Sequence, residues 1–389
     1  MNSFQRSLTM VRFSVAPTHD ILVSELRIAL LSALYAQQKN LPLIVRMEDG
    51  KRSEEMERRE DELLEILSLF GISYSQLYYQ SNNFKYHLQF ASTLLDRKKA
   101  FICFCAEDKA SPYDGACEPL SNEEILNNPS PFVIRMKPSS TTSDSFTIMQ
   151  RDKYPTAIFA RACDDMLQGV STLIREESHK EDASKESLVR EALGYEEALN
   201  YLYVPNLENA ERWSVKALLD EGFMPEAIAR YLLALGTEWQ RCEEQTNTPV
   251  AFEKEALRQM NRACIQNLSD MELSKRLGYA CENIGKLAKL YTNTLNTTAE
   301  IKVKIDAIFS KKEPLCGFET ESKTLQKLIL EAPYFESYDA FEAYLAEKSA
   351  LKAEAFFTPL YVLFMGEKSG LALAQTYPFL KNYLKEIVR

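Results

Sequence analysis

The sequence has no apolar run long enough to span a bilayer. Its most apolar stretch, FFTPLYVLFMG at residues 356–366, carries Pro359 and is about half the ~20 residues a spanning helix needs. No apolar segment stands before the first expected strand, so neither a leader nor a membrane partner is expected, and the expected compartment is the cytoplasm. An excess of positive charge is missing too: 46 Lys and Arg face 56 Asp and Glu, a net charge of −10. That excludes a general affinity for nucleic acid and leaves room only for a local basic stripe. The 8 cysteines lack the regular spacing of a disulfide framework and fit a reducing environment. No internal repeat is found. The stretch TNTLNTT at residues 292–298 is a polar loop or cap.

What is present is a globular composition. The chain has 389 residues, 46% of them hydrophobic and 26% charged, which predicts two to four domains. Residues 11–15 alternate as a strand, and 22–38 have helical spacing without Gly or Pro. LPLIVRME at 41–48 reads as a buried strand, and a helix over 54–70 ends at Gly71. Strand–helix–strand–helix at this pitch begins a parallel α/β unit. YYQS at 78–81 introduces a helical stretch through Lys99. The following region is turn-rich and holds three cysteines, then PFVIRMKP and FTIMQRD read as paired strands around a Ser/Thr-rich loop. GVSTLIREE resumes the buried-strand pattern. From Trp213 onward the periodicity is helical, with breaks expected near Pro225, Pro249, Pro314, Pro333 and Pro359.

The segment VRFSVAPTHDILVSELRIAL at 11–30 carries the sharpest signal. Together with VRMEDGKR, YYQS, YDGAC, YPTAIFA, DDMLQGVSTLIREESH, SVKALLDEGFMPEAIARYLLALG, FEKEALRQMNR and AFFTPLYVLFMGEKSG, it resembles the class I glutamyl-tRNA synthetases in order along nearly the whole chain. The resemblance implies a Rossmann domain split by a β-rich insertion, followed by an all-helical C-terminal region. Its expected divisions are 1–84 and 156–212 for the two Rossmann halves and 85–155 for the acceptor-stem-type insertion. A stem-contact-type region follows at 213–265 and an anticodon-binding-type region at 266–389. It also implies ATP with magnesium, tRNA as partner, and a two-step reaction: glutamate attacks the α-phosphate of ATP, and the adenylate is then transferred to the tRNA 3′ end. Catalysis of this kind works by positioning and by stabilising phosphate charge.

The same comparison locates what is missing. The family's signature histidine falls at Leu22 and its paired glycines at Ser24 and Glu25. Leucine cannot donate a hydrogen bond to phosphate, and side chains take space that glycine leaves to the nucleotide. A carboxylate at Glu25 competes with phosphate for the helix N-terminus; at ~5 Å and an effective dielectric near 20 the repulsion is about 3 kcal/mol. REESH at 175–179 puts Glu176 where the family has glycine, so the eroded ATP site comprises Leu22, Ser24, Glu25, Glu176 and Glu177. The lysine-rich loop that holds pyrophosphate is absent: the chain passes from YLYVP through NLENAERW into SVKALLDEG, with only Arg212 and Lys216 as cations nearby. His19 lies three positions before the signature histidine and reads as a solvated turn residue.

The amino-acid pocket is mixed. The resemblance places substrate contacts at Arg12, Ala16, Glu48, Ala157, Arg161 and Arg175. Arg12, Glu48 and Arg175 keep the family's residue types, so an acidic amino acid would still meet an arginine pair; alternatively these charges only pair with one another. Ala16 and Ala157 remove hydroxyls. Cys103, Cys105 and Cys117 match three ligands of the zinc-bearing members, with Pro119 where the fourth, a histidine, would stand. Zinc wants four ligands, which leaves Tyr113, Asp114 or Glu118 to complete the set, or reduced thiols in a small core. Cys163, Cys242, Cys264, Cys281 and Cys316 read as core or incidental. RLGYACENIGKLAKLY and IKVKIDAIFSKK place cations on helical faces that would follow an RNA backbone or merely be solvated. The expected protein is a monomeric pseudoenzyme of this family, with little or no aminoacylation. It would retain binding of tRNA, an acidic amino acid or a protein such as an active synthetase. Two alternatives stand beside it: an active glutamate–tRNA ligase with unusual motifs, and a pure interaction scaffold.

Overall fold

The computed structural model describes residues 9–50, 54–105, 113, 115–139, 144–195, 197–236, 249–313 and 315–389, with side chains in 54–57 left aside. Asp114, Cys242 and Pro314 lie outside the described residues. The chain forms two compact units, one of residues 1–216 and 232–252, the other of 217–231 and 253–389.

The first unit is built on a parallel sheet. Its chain order is β1 (Met10–Val15), α1 (Val23–Lys39), β2 (Leu43–Met47), α2 (Glu54–Leu69), β3 (Gln76–Tyr79) and α3 (Phe84–Asp96). After an insertion it resumes with α5 (Ala157–Leu167), β7 (Val170–Glu176), α6 (Lys180–Ala192) and β8 (Asn200–Val204). The sheet order is β3-β2-β1-β7-β8, all parallel, with Val15 opposite Met47 and Arg175 opposite Tyr203. All five residues of β2 are buried, as a central strand covered on both faces requires. Helix α1 buries Val23, Leu26, Arg27, Leu30 and Leu31 at three- and four-residue spacing. It stops at Asn40, whose φ of 52° is left-handed. β1 is the first strand; the chain grows outward from it through β2 and β3, then returns to its other side at β7. The crevice outside the strand ends at that reversal is where this topology places ligands.

The insertion contains β4 (Ala100–Cys103), the short α4 (Asn122–Leu126), β5 (Val133–Met136) and β6 (Phe146–Met149), paired antiparallel in the order β4-β5-β6. Phe101, Cys103, Cys117 and Val133 form its own small core. β9 (Leu207–Glu208) pairs with β10 (Val250–Ala251). Between them in sequence come α7 (Val215–Asp220) and α8 (Pro225–Ala234). YYQS introduces a helical stretch as expected: Tyr78 and Tyr79 end strand β3, and a 3-10 turn at Gln80–Asn83 leads directly into α3, which ends at Asp96.

The second unit is helical: α9 (Lys254–Asn267), α10 (Asp270–Arg276), α11 (Glu282–Tyr291), α12 (Thr298–Phe309), α13 (Glu319–Glu331), α14 (Tyr338–Ser349), α15 (Glu354–Met365), α16 (Leu373–Leu380) and α17 (Leu384–Ile387). One apolar core runs through it, with Leu287, Ile301, Ile305, Phe341, Leu360, Phe364 and Leu380 wholly buried. Reciprocal caps start α10 (Ser269 with Glu272) and α12 (Thr297 with Glu300). The expected break at Pro359 does not occur. Pro359 lies within α15 and is buried, so packing overrides the loss of one backbone donor. Pro225 begins a helix, at the first position where its missing N–H is harmless.

Candidate functional site

The carboxyl ends of β1, β2 and β7 converge on a cleft of about 270 Å³ in the first unit, at the small end of ligand-pocket sizes. Arg12, Ala16, Ser24, Glu25, Glu48, Arg161, Arg175, Glu176 and His179 contribute to its walls. Leu22, Ala157 and Glu177 do not line it. Ala157 is the exposed first residue of α5, and Glu177 is engaged with Lys180 at 2.8 Å.

Every arginine in the cleft has a carboxylate from the same chain. Arg161 clasps Glu48: its Nε lies 3.0 Å from both carboxylate oxygens, and its Nη2 donates to Oε2 at 2.8 Å. Arg175 meets Glu186 at 2.9 Å. Arg12 Nε lies 3.0 Å from Asp165 Oδ1, and Arg46 donates to the same oxygen at 2.7 Å. Arg46, Asp165 and Glu186 have no measurable exposure. Behind them Asp164 collects contacts from Gln80 at 2.9 Å, Asn83 at 2.8 Å and His87 at 2.8 Å. Buried charges persist only when paired in this way, because each would lose several kcal/mol of hydration alone. Burial pushes the Glu48 carboxyl up, but Arg161, Arg46 and Arg12 reverse this and hold it well below the usual range. Asp165 is likewise held low by Arg12 and Arg46 against its burial. Burial lowers the Arg12 guanidinium to about 10, which keeps it cationic at neutral pH.

The sequence did not single out Arg46, His87, Asp164, Asp165 or Glu186. One signal was available: an arginine inside LIVRM and two adjacent aspartates inside a largely apolar helix are charges on faces that must be buried, so each demands a partner.

At the opposite wall, the start of α1 is occupied. Glu25 accepts the Leu22 N–H at 2.8 Å, and the Trp213 carbonyl accepts the Val23 N–H at 3.1 Å. Two donors of the kind that would face a phosphate are therefore spent within the protein. His19, about half exposed, lies 3.3 Å from Glu25 and 3.0 Å from the Thr18 hydroxyl; it is a turn residue held by its neighbours. Across the rim, Glu176 accepts the Leu207 N–H at 3.2 Å. Burial raises its pKa, against this hydrogen bond and Arg27. Between β8 and α7 the chain needs only residues 205–214, which contain β9 and a single 3-10 turn. Arg212 in that link is exposed, and Lys216 pairs with Glu62 at 3.0 Å. These groups fit a bound triphosphate poorly: two of the donors at the start of α1 are taken, and the Glu25 and Glu176 carboxylates stand in the cleft wall.

The sulfur atoms of Cys103, Cys105 and Cys117 lie within 4.8 Å of one another. Burial, with hydrogen bonds from Cys117 and Cys103, pushes the Cys105 thiol up to about 12. The Tyr113 hydroxyl oxygen sits 2.7 Å from the Cys117 nitrogen, beside the thiols. Glu118 is turned toward Lys137 at 3.3 Å. The three thiols supply three of the four ligands a structural zinc ion takes; the Tyr113 phenol is a poor fourth, and among the described residues no other group completes the set.

The basic helical faces are largely self-neutralised. Arg276 pairs with Glu226 at 2.6 Å, Lys286 with Glu282 at 2.9 Å, Lys289 with Asp270 at 2.8 Å, Lys302 with Asp306 at 3.0 Å and Lys304 with Glu367 at 2.6 Å. No helix among the described residues is long and apolar enough to cross a membrane.

Comparison with known proteins places this geometry in a family. Residues 9–123 and 121–265 match the family model of class I tRNA synthetases (E and Q), catalytic domain. The chain is 36% identical to glutamate–tRNA ligase 2 of Sulfurimonas denitrificans and 37% identical to glutamate–tRNA ligase 1 of Campylobacter jejuni. Each match runs over 432 residues and covers 98% of this chain and all of the relative. Since this chain has 389 residues, at least 43 positions of each match have no counterpart in it. The fold matches that of a glutamate–tRNA ligase from Elizabethkingia meningosepticum, crystallised with its amino acid. The TM-score is 0.70 at 17% identity, over 98% of both chains.

Proposed function

The chain belongs to the class I tRNA synthetases for glutamate and glutamine, and we propose that it is a copy that no longer forms an aminoacyl adenylate. The observation that carries this is the Glu25 carboxylate folded back onto the N–H of Leu22, the residue that caps the start of α1. Adenylate formation needs charge-stabilising donors aimed at the phosphates. Here a fixed negative charge sits at that helix end, no lysine-rich loop follows β8, and Glu176 faces the remaining approach. Each lost donor lowers the rate by about 3 kcal/mol, so three such losses give a deficit beyond ~10⁶-fold.

What is retained is the carboxylate-binding end of the cleft, formed by Arg12, Glu48 and Arg175 with Arg161. We assign 1–84 and 156–212 to the catalytic-type domain, 85–155 to an acceptor-stem-type insertion, 213–265 to a stem-contact-type region and 266–389 to an anticodon-binding-type region. Cys103, Cys105 and Cys117 would offer a structural zinc three of its four ligands; without a fourth they are reduced thiols in the insertion's small core. The protein works in the cytoplasm as a monomer and binds a tRNA or a protein partner through these inherited domains. The competing reading, an active ligase, is favoured by the full-length similarity to proteins that bear that name.

Glutamate-dependent exchange between ATP and pyrophosphate, assayed with and without tRNA, separates the two. The expected result is no exchange above background. Exchange within about a hundredfold of an ordinary synthetase makes the chain an active ligase.

A further inference from the structure

We infer that the cleft selects a small dicarboxylate without an ammonium group over an α-amino acid, because Arg161 already occupies the ammonium-binding face of Glu48. This deepens the proposed carboxylate-binding function and rests on it.

An amino acid needs a carboxylate to receive its ammonium. Three carboxylates line the cleft: Glu25 near the start of α1, Glu48 directly after β2 and Glu176 at the end of β7. Glu25 accepts the Leu22 N–H and Glu176 the Leu207 N–H, and Glu48 stands beside the arginines. Glu48 is 8% exposed and takes three contacts of 2.8–3.0 Å from Arg161, both of its oxygens being engaged. Arg46 adds a second cation at 3.9 Å. A ligand ammonium would have to displace a tethered guanidinium and then sit beside it, like charge against like. The other carboxylates at hand are committed as well: Asp165 to Arg12 and Arg46, Glu186 to Arg175.

The cations are placed differently. Arg12 lines the cleft, is 4% exposed, and its Nη2 has no hydrogen-bond partner among the described residues. Its Nη1 is held by the Ser14 hydroxyl, which fixes the plane of the guanidinium. Arg161 and Arg175 also line the cleft, and a guanidinium fork can serve one carboxylate from the protein and another from a ligand. Arg12 Nη2 is therefore a donor without a partner, whereas each carboxylate lining the cleft already holds one.

The probes are glutarate and L-glutamate, which share chain length and differ in the ammonium group, titrated into the full chain by calorimetry and by thermal shift. Glutarate is expected to bind about tenfold more tightly than L-glutamate and to give the larger rise in melting temperature. Arg161→Asn, which frees Glu48, should reverse that order. Its own melting temperature without ligand shows whether it is folded, and the order measured on the unmodified chain stands without it. L-glutamate binding as tightly as glutarate to the unmodified chain overturns the inference but leaves a carboxylate site in place. No binding of either removes the carboxylate site and the inference together. Adenylate formation is judged separately by the exchange assay.

Discussion

The two units of this chain bury different things. In the first, Arg12, Arg27, Arg46, Asp49, Glu60, His87, Arg135, Asp164, Asp165, Glu186 and Arg190 are all buried. In the second, Lys312 is the one buried charged residue among those described, and its ammonium is held by the carbonyls of Ala307, Ile308 and Ser310 at 2.7–2.8 Å. A helical bundle needs only apolar surface to hold together, and its ion pairs lie at the surface, where each contributes ~0–1 kcal/mol. Buried ion pairs, by contrast, are often no more stabilising than apolar side chains of the same volume. The first unit therefore holds a charge network that its stability does not require, beneath a cleft whose walls include Glu25 and Glu176. The difference teaches that the buried charge of this chain is concentrated in the unit that carries the cleft, as a polar site requires and a helical core does not.

The sharpest way to break this comparison is to remove one charge from the network. Asp165→Ala leaves Arg12 and Arg46 buried without their shared partner and should destabilise the first unit by about 3–5 kcal/mol. Urea unfolding followed by tryptophan fluorescence reads this, since Trp213 belongs to that unit. The second unit should break by shape instead. A Cβ at Gly285 would lie 1.7 Å from the Asp270 carbonyl oxygen, so Gly285→Ala must push α10 from α11. It should cost about 1–3 kcal/mol or more, read in helical circular dichroism.

Acid should also divide the units. Asp165 and Glu48 are held below the ordinary carboxylate range in the folded protein. The unfolded chain therefore binds protons first, and the stability these groups add is present above about pH 4–5 and lost as pH falls below it. The fluorescence transition should weaken between about pH 5 and 2 more than the helical signal does. At the alkaline side a slope of the same sign appears in the second unit. Burial lowers Lys312 from 10.5 to about 8, so between these values the unfolded chain holds the extra proton and stability rises with pH. The gain by pH 9.5 should be under ~2 kcal/mol, and Lys312→Met should abolish the slope.

The parts of the first unit legible in the sequence were those under a single strong demand. β1, α1, β2, α2 and β7 announce themselves by periodicity and by Gly71, because each must bury a full face. β3 and β8 at the sheet's edges were not read as strands. Both are short, tyrosine-rich and only half buried, so neither the alternating nor the continuous apolar pattern develops. Arg12, Glu48 and Arg175 could be placed from the resemblance, but not their partners. Asp165 and Glu186 come from helices whose facing toward the sheet is a tertiary fact. Glu25 was legible as an obstacle to phosphate; that it caps its own helix needed coordinates. In the second unit Pro359 was misread as a break, since the sequence does not reveal that the surrounding core holds the helix together.

Whether α1 is closed to phosphate is measured most directly by calorimetric titration of magnesium-ATP into the unmodified chain and into Glu25→Gly. The unmodified chain should bind more weakly than ~1 mM. Relief of about 3 kcal/mol of repulsion, partly offset by the ~1 kcal/mol cap that is lost, should tighten binding in the variant by at least about tenfold. Binding tighter than ~10 μM with Glu25 in place, or no change on its removal, would contradict the closure of this helix end and with it the loss of adenylate chemistry.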